Sequence, residues 1–265
     1  MHQKNFGIRG TWIATAALSL LTTAQCFAQP VPARTAKDTA PIDISGYWVS
    51  QITQAWRLRM VTPPKGDYMG ISMTDASKTI ADAWDQTKDE AAGDQCKYYA
   101  AGMIMTLPER LHITWPDDNT LKMDIDAGTQ TRVFHFGSWK APAGPPTWQG
   151  NSVAEWDSRA LKIPPARGGG NRAQISPPTR LTHLKVRTDN LKGAYLRKNG
   201  VPYSDRSVLT EYYDLIREDD GQQMMIVTTV LEDPIYLENP LILTAQFRKQ
   251  QDAAGWDPTP CSARW

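Results

Sequence analysis

The sequence has no excess of charge of either sign, and no run of basic residues. It contains 29 Lys and Arg against 28 Asp and Glu, for a formal net charge of +1. Proteins that bind nucleic acid or anionic membranes usually carry a basic patch or stripe. The composition therefore argues against both partners, and a small-molecule ligand or substrate is expected instead.

Long apolar runs are also lacking. A membrane-spanning helix needs about 20 apolar residues, and the longest apolar stretch, at residues 11–23, is shorter than that. It follows Lys4 and Arg9 and precedes small residues up to Ala28, which is the pattern of a secretory signal peptide over residues 1–28. We predict an exported protein, periplasmic or secreted, with no membrane span after cleavage.

Cysteine is scarce, with three in the chain. Cys26 lies in the predicted signal peptide, so the mature protein keeps Cys96 and Cys261. In an oxidising compartment two remaining cysteines favour a disulfide, and two separate buried thiols are the alternative. The bridge would tie the C-terminus to the body of the protein.

Motifs of metal sites, phosphate loops and hydrolases are absent. The histidines beyond the signal peptide show neither HxxxH nor HxH spacing, and there is no CxxC pair. No GxSxG elbow marks a nucleophilic serine. The three glycines at 168–170 precede no predicted helix, which a phosphate-binding loop requires. The sequence gives no reason to expect a metal or another cofactor.

What the sequence does contain is a series of short alternating segments rich in β-forming residues. A Pro-rich, flexible leader is expected at 29–42, one or two short helices near 74–99, and a surface insertion rich in Gly, Pro and Arg at about 158–180. Strands are predicted within 43–53, 56–61, 110–115, 120–126, 129–136 and 152–156, near 183, and at 208–217, 222–232 and 241–249.

The order of these segments predicts the fold class. Successive hairpins without alternating long helices favour a mainly β, antiparallel meander over a doubly wound sheet. We therefore expect a single β domain over residues 43–265, built as a lipocalin-like barrel or a strongly curved sheet.

The segment Pro146 to Trp156, PTWQGNSVAEW, resembles the PTWNGxSVGxWEGDTLVV pattern of a large group of uncharacterised exported bacterial proteins. Similar segments are GDQC at 93–96, NGVPYS at 199–204, LTEYY at 209–213 and LEDPIY at 231–236. The resemblance covers roughly residues 43–261 and implies the β fold and export, but no activity. It breaks after Trp156, where the insertion replaces the expected Gly-Asp-Thr turn.

Candidate polar site residues lie on the predicted strands. Alternation places Arg132 and His135 on opposite faces of one strand, and Glu211 on the same face as Tyr213. In an enzyme, His135 or Glu211 would be the general base and Arg132 would stabilise developing negative charge. The plainer interpretation is that Arg132 and Glu211 form weak, solvent-facing ion pairs.

The high aromatic content, ten Trp and nine Tyr, favours a protein that binds a small apolar or aromatic ligand in a barrel pocket. The alternatives are an isomerase, lyase or hydrolase on the same scaffold and, less favoured, an envelope-interaction module. The oligomeric state is left open. The predicted ligand-binding residues are Trp48, Trp115, Asp126, Trp148, Trp156, Tyr213, Asp233 and Tyr236.

Overall fold

The computed structural model describes residues 1, 2, 7, 34–160 and 180–264. The predicted signal peptide lies almost wholly outside the described residues, and so does the central part of the predicted insertion, residues 161–179. The chain divides into two compact units, Met1–Ala33 and Arg34–Trp265. The description below concerns the second unit.

The second unit is built mainly from β-strands. Nine of them close into a barrel in the order β1-β11-β10-β9-β6-β5-β4-β3-β2, and β7 and β8 pair separately. This confirms the predicted mainly β, lipocalin-like barrel. The strands are β1 (Gly46–Gln51), β2 (Arg110–Asp117), β3 (Thr120–Ile125), β4 (Gln130–Phe136), β5 (Asn151–Ala160), β6 (Arg180–Asp189), β7 (Ala194–Tyr195), β8 (Pro202–Tyr203), β9 (Val208–Arg217), β10 (Gln223–Glu232) and β11 (Leu241–Gln250).

One neighbouring pair departs from a pure antiparallel meander. β4 and β5 run parallel, with Phe134 opposite Ser152 and Phe136 opposite Ala154. The Pro- and Gly-containing segment 137–150 carries the chain back along the barrel before β5 begins. The barrel closes where β1 pairs with both β2 and β11.

Three short helices accompany the barrel: α1 (Trp56–Met60), α2 (Asp75–Asp82) and α3 (Gln86–Ala92). The latter two are the helices predicted near 74–99. The side chains of Thr74 and Asp85 cap them by accepting hydrogen bonds from main-chain N–H groups.

The strand predicted at residues 56–61 is wrong, because most of this segment forms α1. Ala55 adopts a left-handed conformation, with φ of 48°, which breaks the extended chain before α1 begins. Leu, Arg and Met are also good helix formers, so the WRLRM segment tolerates a helical turn despite its alternating pattern.

The connecting segments gather at one end of the barrel. β1, β6 and β10 end there and β2, β9 and β11 begin there, so segments 52–109, 190–207 and 233–240 all cover it. We call it the helical end. Cys96 and Cys261 form the predicted disulfide, with an S–S distance of 2.08 Å.

Large side chains occupy the barrel interior. Strand alternation directs Arg132, Phe134 and Phe136 of β4 inward. His135 lies on the opposite face, as the alternation predicts, and it is only partly buried. Fully buried side chains from the other strands include Trp48, Leu111, Tyr213, Met225 and Phe247.

Two predicted boundaries differ from the structure. The main-chain N–H of Lys37 donates to the carbonyl of Asp118, and the Trp156 indole donates to the carbonyl of Ala36 at 2.8 Å. From residue 34 onward, the leader expected to be flexible therefore contacts the barrel. β5 extends to Ala160 and pairs there with Arg180 of β6, so both ends of the predicted insertion are strand.

Among the described residues, no helix combines the length and apolar character needed to cross a membrane.

Candidate functional site

The barrel interior contains a fully buried ion pair. The Arg132 guanidinium on β4 donates two parallel hydrogen bonds to the Glu211 carboxylate on β9, at 2.8 and 2.5 Å, and both side chains are 0 % exposed. Arg132 also approaches the Thr188 hydroxyl at 3.5 Å, and that hydroxyl shares a 2.7 Å hydrogen bond with Ser152. The fork geometry satisfies both carboxylate oxygens.

The electrostatics of this pair favour its charged form. Burial alone would lower the pKa of Arg132, but the facing Glu211 carboxylate more than offsets this, so that the pKa is raised. Burial, together with the negative charge of Glu211, raises the pKa of Tyr213 well above its ordinary value. The interior of the barrel therefore holds a matched positive and negative charge beside a neutral phenol.

Glu109, immediately before β2, is a second buried carboxyl group. It is 3 % exposed, and neither carboxyl oxygen has a hydrogen-bond partner among the described residues. Burial, reinforced by the carboxylate of Asp126, raises its pKa well above the ordinary value. The neutral acid is therefore the favoured form.

A cavity of about 320 Å³ lies at the helical end of the barrel. Its wall is formed by α1, the loop before α2, the segment before β2, the segment after β7 and the first residues of β11. Most of the wall is apolar, with contributions from Leu58, Ile71, Met103, Leu196, Leu241 and Leu243.

Two buried arginines are the charged groups in this wall. Arg59 of α1 donates from Nε to the carbonyl of Thr106 at 2.6 Å, whereas its Nη2 is buried and has no hydrogen-bond partner among the described residues. Arg197 donates to the carbonyls of Asp67 and Met69. Burial lowers the pKa of both arginines, so each positive charge is poorly solvated.

The three residues considered for catalysis do not meet. Arg132 and Glu211 are paired inside the barrel, but His135 lies on the opposite face of β4. There its ring stacks on Trp139 with centroids 4.0 Å apart, and burial lowers its pKa.

The predicted binding aromatics are dispersed rather than gathered around one space. Trp48 is in the core and donates from its indole N–H to the Ile44 carbonyl at 2.9 Å. Trp115 and Trp156 belong to one aromatic cluster, with ring centroids 6.4 Å apart. Trp148 lies beneath the Lys192 ammonium at 4.0 Å.

The remaining predicted residues belong to the core, to turns and to a surface groove. Tyr213 is in the core. Asp126 accepts from the Arg110 main-chain N–H at 2.7 Å. Asp233 organises the turn after β10 and accepts from the Ser204 hydroxyl at 2.9 Å. Tyr236 lines an open groove. None of the eight predicted binding residues, all of which are described, lines the cavity of about 320 Å³.

The two arginines that give the cavity its charge are not among the predicted site residues. Arg59 was assigned to a strand, and Arg197 lies in an irregular segment with no periodic pattern. A buried position in such segments leaves no local signal, because it depends on which distant strands the segment covers.

Among the described residues, no three His, Cys, Asp or Glu side chains are arranged to hold a metal ion. The fold and the cavity together define a closed, lipocalin-like β barrel with a charged interior pair and an apolar, arginine-containing cavity at one end. Comparisons of the chain with protein-family models, with curated proteins and with solved structures give no match.

Proposed function

We propose that this protein binds a small apolar molecule carrying one anionic group, such as a medium-chain or aromatic carboxylic acid. The observation that carries the proposal is the apolar cavity at the helical end with Arg59 and Arg197 in its wall. On this proposal the ligand binds at the helical end of the barrel rather than among the predicted aromatic residues.

The size and lining of the cavity support a small ligand. Ligand pockets commonly enclose about 300–1,000 Å³ and combine apolar walls with a few polar groups that fix orientation. A volume of about 320 Å³ is at the lower end of that range. A ten-carbon acid or a single substituted ring suits this space better than a sterol or a phospholipid.

The charge of the wall supports an anionic group on the ligand. Burial lowers the pKa of Arg59 although the nearby Glu109 carboxyl group opposes this shift, and the buried Nη2 of Arg59 has no hydrogen-bond partner among the described residues. Arg197 donates its hydrogen bonds to main-chain carbonyls, and burial lowers its pKa despite the attraction of the Asp67 carboxylate. A bound carboxylate would pair with the free Nη2 of Arg59, and hydrogen bonds to charged groups contribute about 1.5–3 kcal/mol.

We further propose that the protein is exported and performs this role outside the cytoplasm. The pattern of residues 1–28 and the resemblance to exported bacterial proteins support export. The Cys96–Cys261 disulfide supports it too, because structural disulfides persist mainly in oxidising compartments.

The test is a titration of the protein with decanoate below its micelle concentration, compared with decanol and decylamine. Decanoate should stabilise the fold by about 2.7 kcal/mol at a hundredfold excess over its Kd, and mass spectrometry should recover it unchanged. Decanol should bind at least about tenfold more weakly, because it leaves the arginine charge unpaired. The proposal would be refuted if all three ligands bound equally well or if none of them bound. Recovery of a chemically altered ligand would support the enzyme alternative.

Three variants test whether the ligand binds in the cavity at the helical end. Arg59→Met should abolish the preference for decanoate over decanol, whereas the matched control Arg187→Met, which removes a half-exposed arginine from β6, should keep it. Leu58→Trp should block binding of both ligands by filling the cavity while leaving Arg59 in place.

A further inference from the structure

The most exposed apolar side chains of the Arg34–Trp265 unit lie on the segments that form the cavity wall. Five of them are 50–70 % exposed, while no other large apolar side chain described in this unit exceeds 41 %. The five are Trp56, Met60, Val61, Met69 and Ile242. We call this set the apolar rim.

The rim residues belong to the same three segments that build the cavity wall. Trp56 and Met60 lie one helical turn apart on the solvent-exposed side of α1, whereas Leu58 and Arg59, on another side of the same helix, line the cavity. Met69 immediately precedes Gly70 of the wall, and Ile242 of β11 itself lines the cavity. The rim and the cavity wall therefore share these three segments, and Ile242 belongs to both.

Hydrogen bonds and an ion pair hold the three segments together. Arg57 of α1 pairs with Asp67 of the Met69 loop at 3.0 Å. The side-chain amide of Gln54, just before α1, donates to the Thr244 carbonyl on β11 at 3.0 Å. The rim is thus presented on a fixed frame rather than by independent loops.

We propose that the apolar rim docks on the surface of a lipid bilayer and that the ligand passes directly between the acyl-chain region and the cavity. This inference rests on the proposed function, and it deepens that function by naming the source of the ligand. A single-chain acid dissolved in a bilayer is an amphiphile with one anionic group, which is the chemistry that the cavity selects.

The chemistry of the rim favours a neutral bilayer. Tryptophan is enriched at membrane–water interfaces, and amphipathic helices that bind there bury an apolar face about 5–10 Å into the interfacial layer. The exposed cation of α1, Arg57, is already paired with Asp67, and the chain has a net charge of only +1. Docking should therefore be driven by apolar burial, and it should depend little on anionic lipid or on salt.

The experiment measures partition of the full protein onto sucrose-loaded phosphatidylcholine vesicles by co-sedimentation, with and without brominated acyl chains as quenchers of tryptophan. Wild-type protein should sediment with the vesicles at low and high salt, and brominated lipid should quench part of its fluorescence. Trp56→Ser should remove that quenched part. Trp56→Ser and Met69→Ser should each weaken partition about tenfold, because each removes one apolar side chain that docking would bury in the bilayer.

Matched controls come from the outer face of the barrel. Val153→Ser on β5 and Ile216→Ser on β9 also replace exposed apolar residues, but on strands that do not contribute to the cavity wall, and they should partition like the wild type. Neither Trp56 nor Met69 lines the cavity. Both rim variants should therefore bind decanoate in solution with unchanged affinity, which also shows that they are folded.

The outcomes separate this inference from the proposed function. Decanoate binding without vesicle association would overturn the inference and leave the proposed function intact. Equal loss of partition in rim and control variants would also overturn it. Self-association that only the rim variants abolish, with no vesicle binding, would identify the rim as an interface between two copies and refute lipid docking. Vesicle association without decanoate binding would refute the proposed function and, with it, ligand transfer.

Discussion

Replacing Glu211 by glutamine should destabilise the folded protein by about 3–5 kcal/mol, the cost of leaving a buried charge without its partner. The structure supports this magnitude because Arg132 and Glu211 are both fully buried and share two hydrogen bonds. Each hydrogen bond to a charged group contributes about 1.5–3 kcal/mol. Glutamine keeps the shape of the side chain but leaves the guanidinium charge uncompensated.

The double variant Arg132→Met, Glu211→Met separates the cost of an unpaired charge from the value of the pair. Removing both charges together is often neutral or stabilising, so the double variant should be more stable than Glu211→Gln alone. Urea unfolding followed by circular dichroism measures both free energies. The surface control is Glu155→Gln, which breaks an exposed pair with Lys185 and should cost at most about 1 kcal/mol.

The prediction for Glu211 would be refuted if Glu211→Gln lowered the free energy of unfolding no more than Glu155→Gln does. The Arg132–Glu211 pair would then behave like an exposed ion pair, which would require water to reach the barrel interior. It would also be refuted if the double variant were the least stable of the three, because the charges themselves would then be the main source of stability.

Other predictions concern single residues. Glu109→Gln should stabilise the protein at alkaline pH and hardly at all near pH 4. The raised pKa of Glu109 means that the folded state binds the proton more tightly than the unfolded state does. The stability of the wild-type protein therefore falls as the pH rises above the pKa of Glu109 in the unfolded state, which is about 4.3. Thermal unfolding across pH measures the slope, and an unchanged slope contradicts the prediction. Cys261→Ser should lower the free energy of unfolding by up to about 4–5 kcal/mol, because it opens a loop of 165 residues. In urea unfolding, the variant should be as stable as the wild-type protein with its disulfide reduced. Gly200→Ala should destabilise more than Gly221→Ala, since both have φ above +80° but only the former would press its Cβ onto an indole ring. Equal melting temperatures for the two glycine variants would contradict this.

Much of the barrel could be predicted from the sequence, because strand alternation is a local pattern. The placement of Arg132 and His135 on opposite faces follows from a period of two along β4, whereas the burial of Arg132 shows which face points inward. The same rule does not tell which inward residues from distant strands meet. The pairing of Arg132 with Glu211 therefore needed the barrel closure to be known.

The parts that could not be predicted depend on tertiary context. The segment Trp56–Met60 alternates like a strand, yet it folds as a helix that covers the cavity. The parallel pairing of β4 with β5 depends on the path of residues 137–150, whose sequence specifies a loop but not its direction. The buried carboxyl group of Glu109 is not marked by any pattern in the sequence, because its burial depends on how β1, β2 and the segments over the helical end come together.

The closure of the barrel between β1 and β11 has a consequence for the newly made chain. β1, at Gly46–Gln51, is the first strand to emerge, and its second neighbour, β11 at Leu241–Gln250, is the last. Until β11 is present, one edge of β1 carries unpaired main-chain groups that invite pairing with another chain. Such long-range closure also slows folding. Nascent and truncated forms of this protein are therefore more exposed to aggregation than the closed ring, in which every barrel strand has a neighbour on both sides.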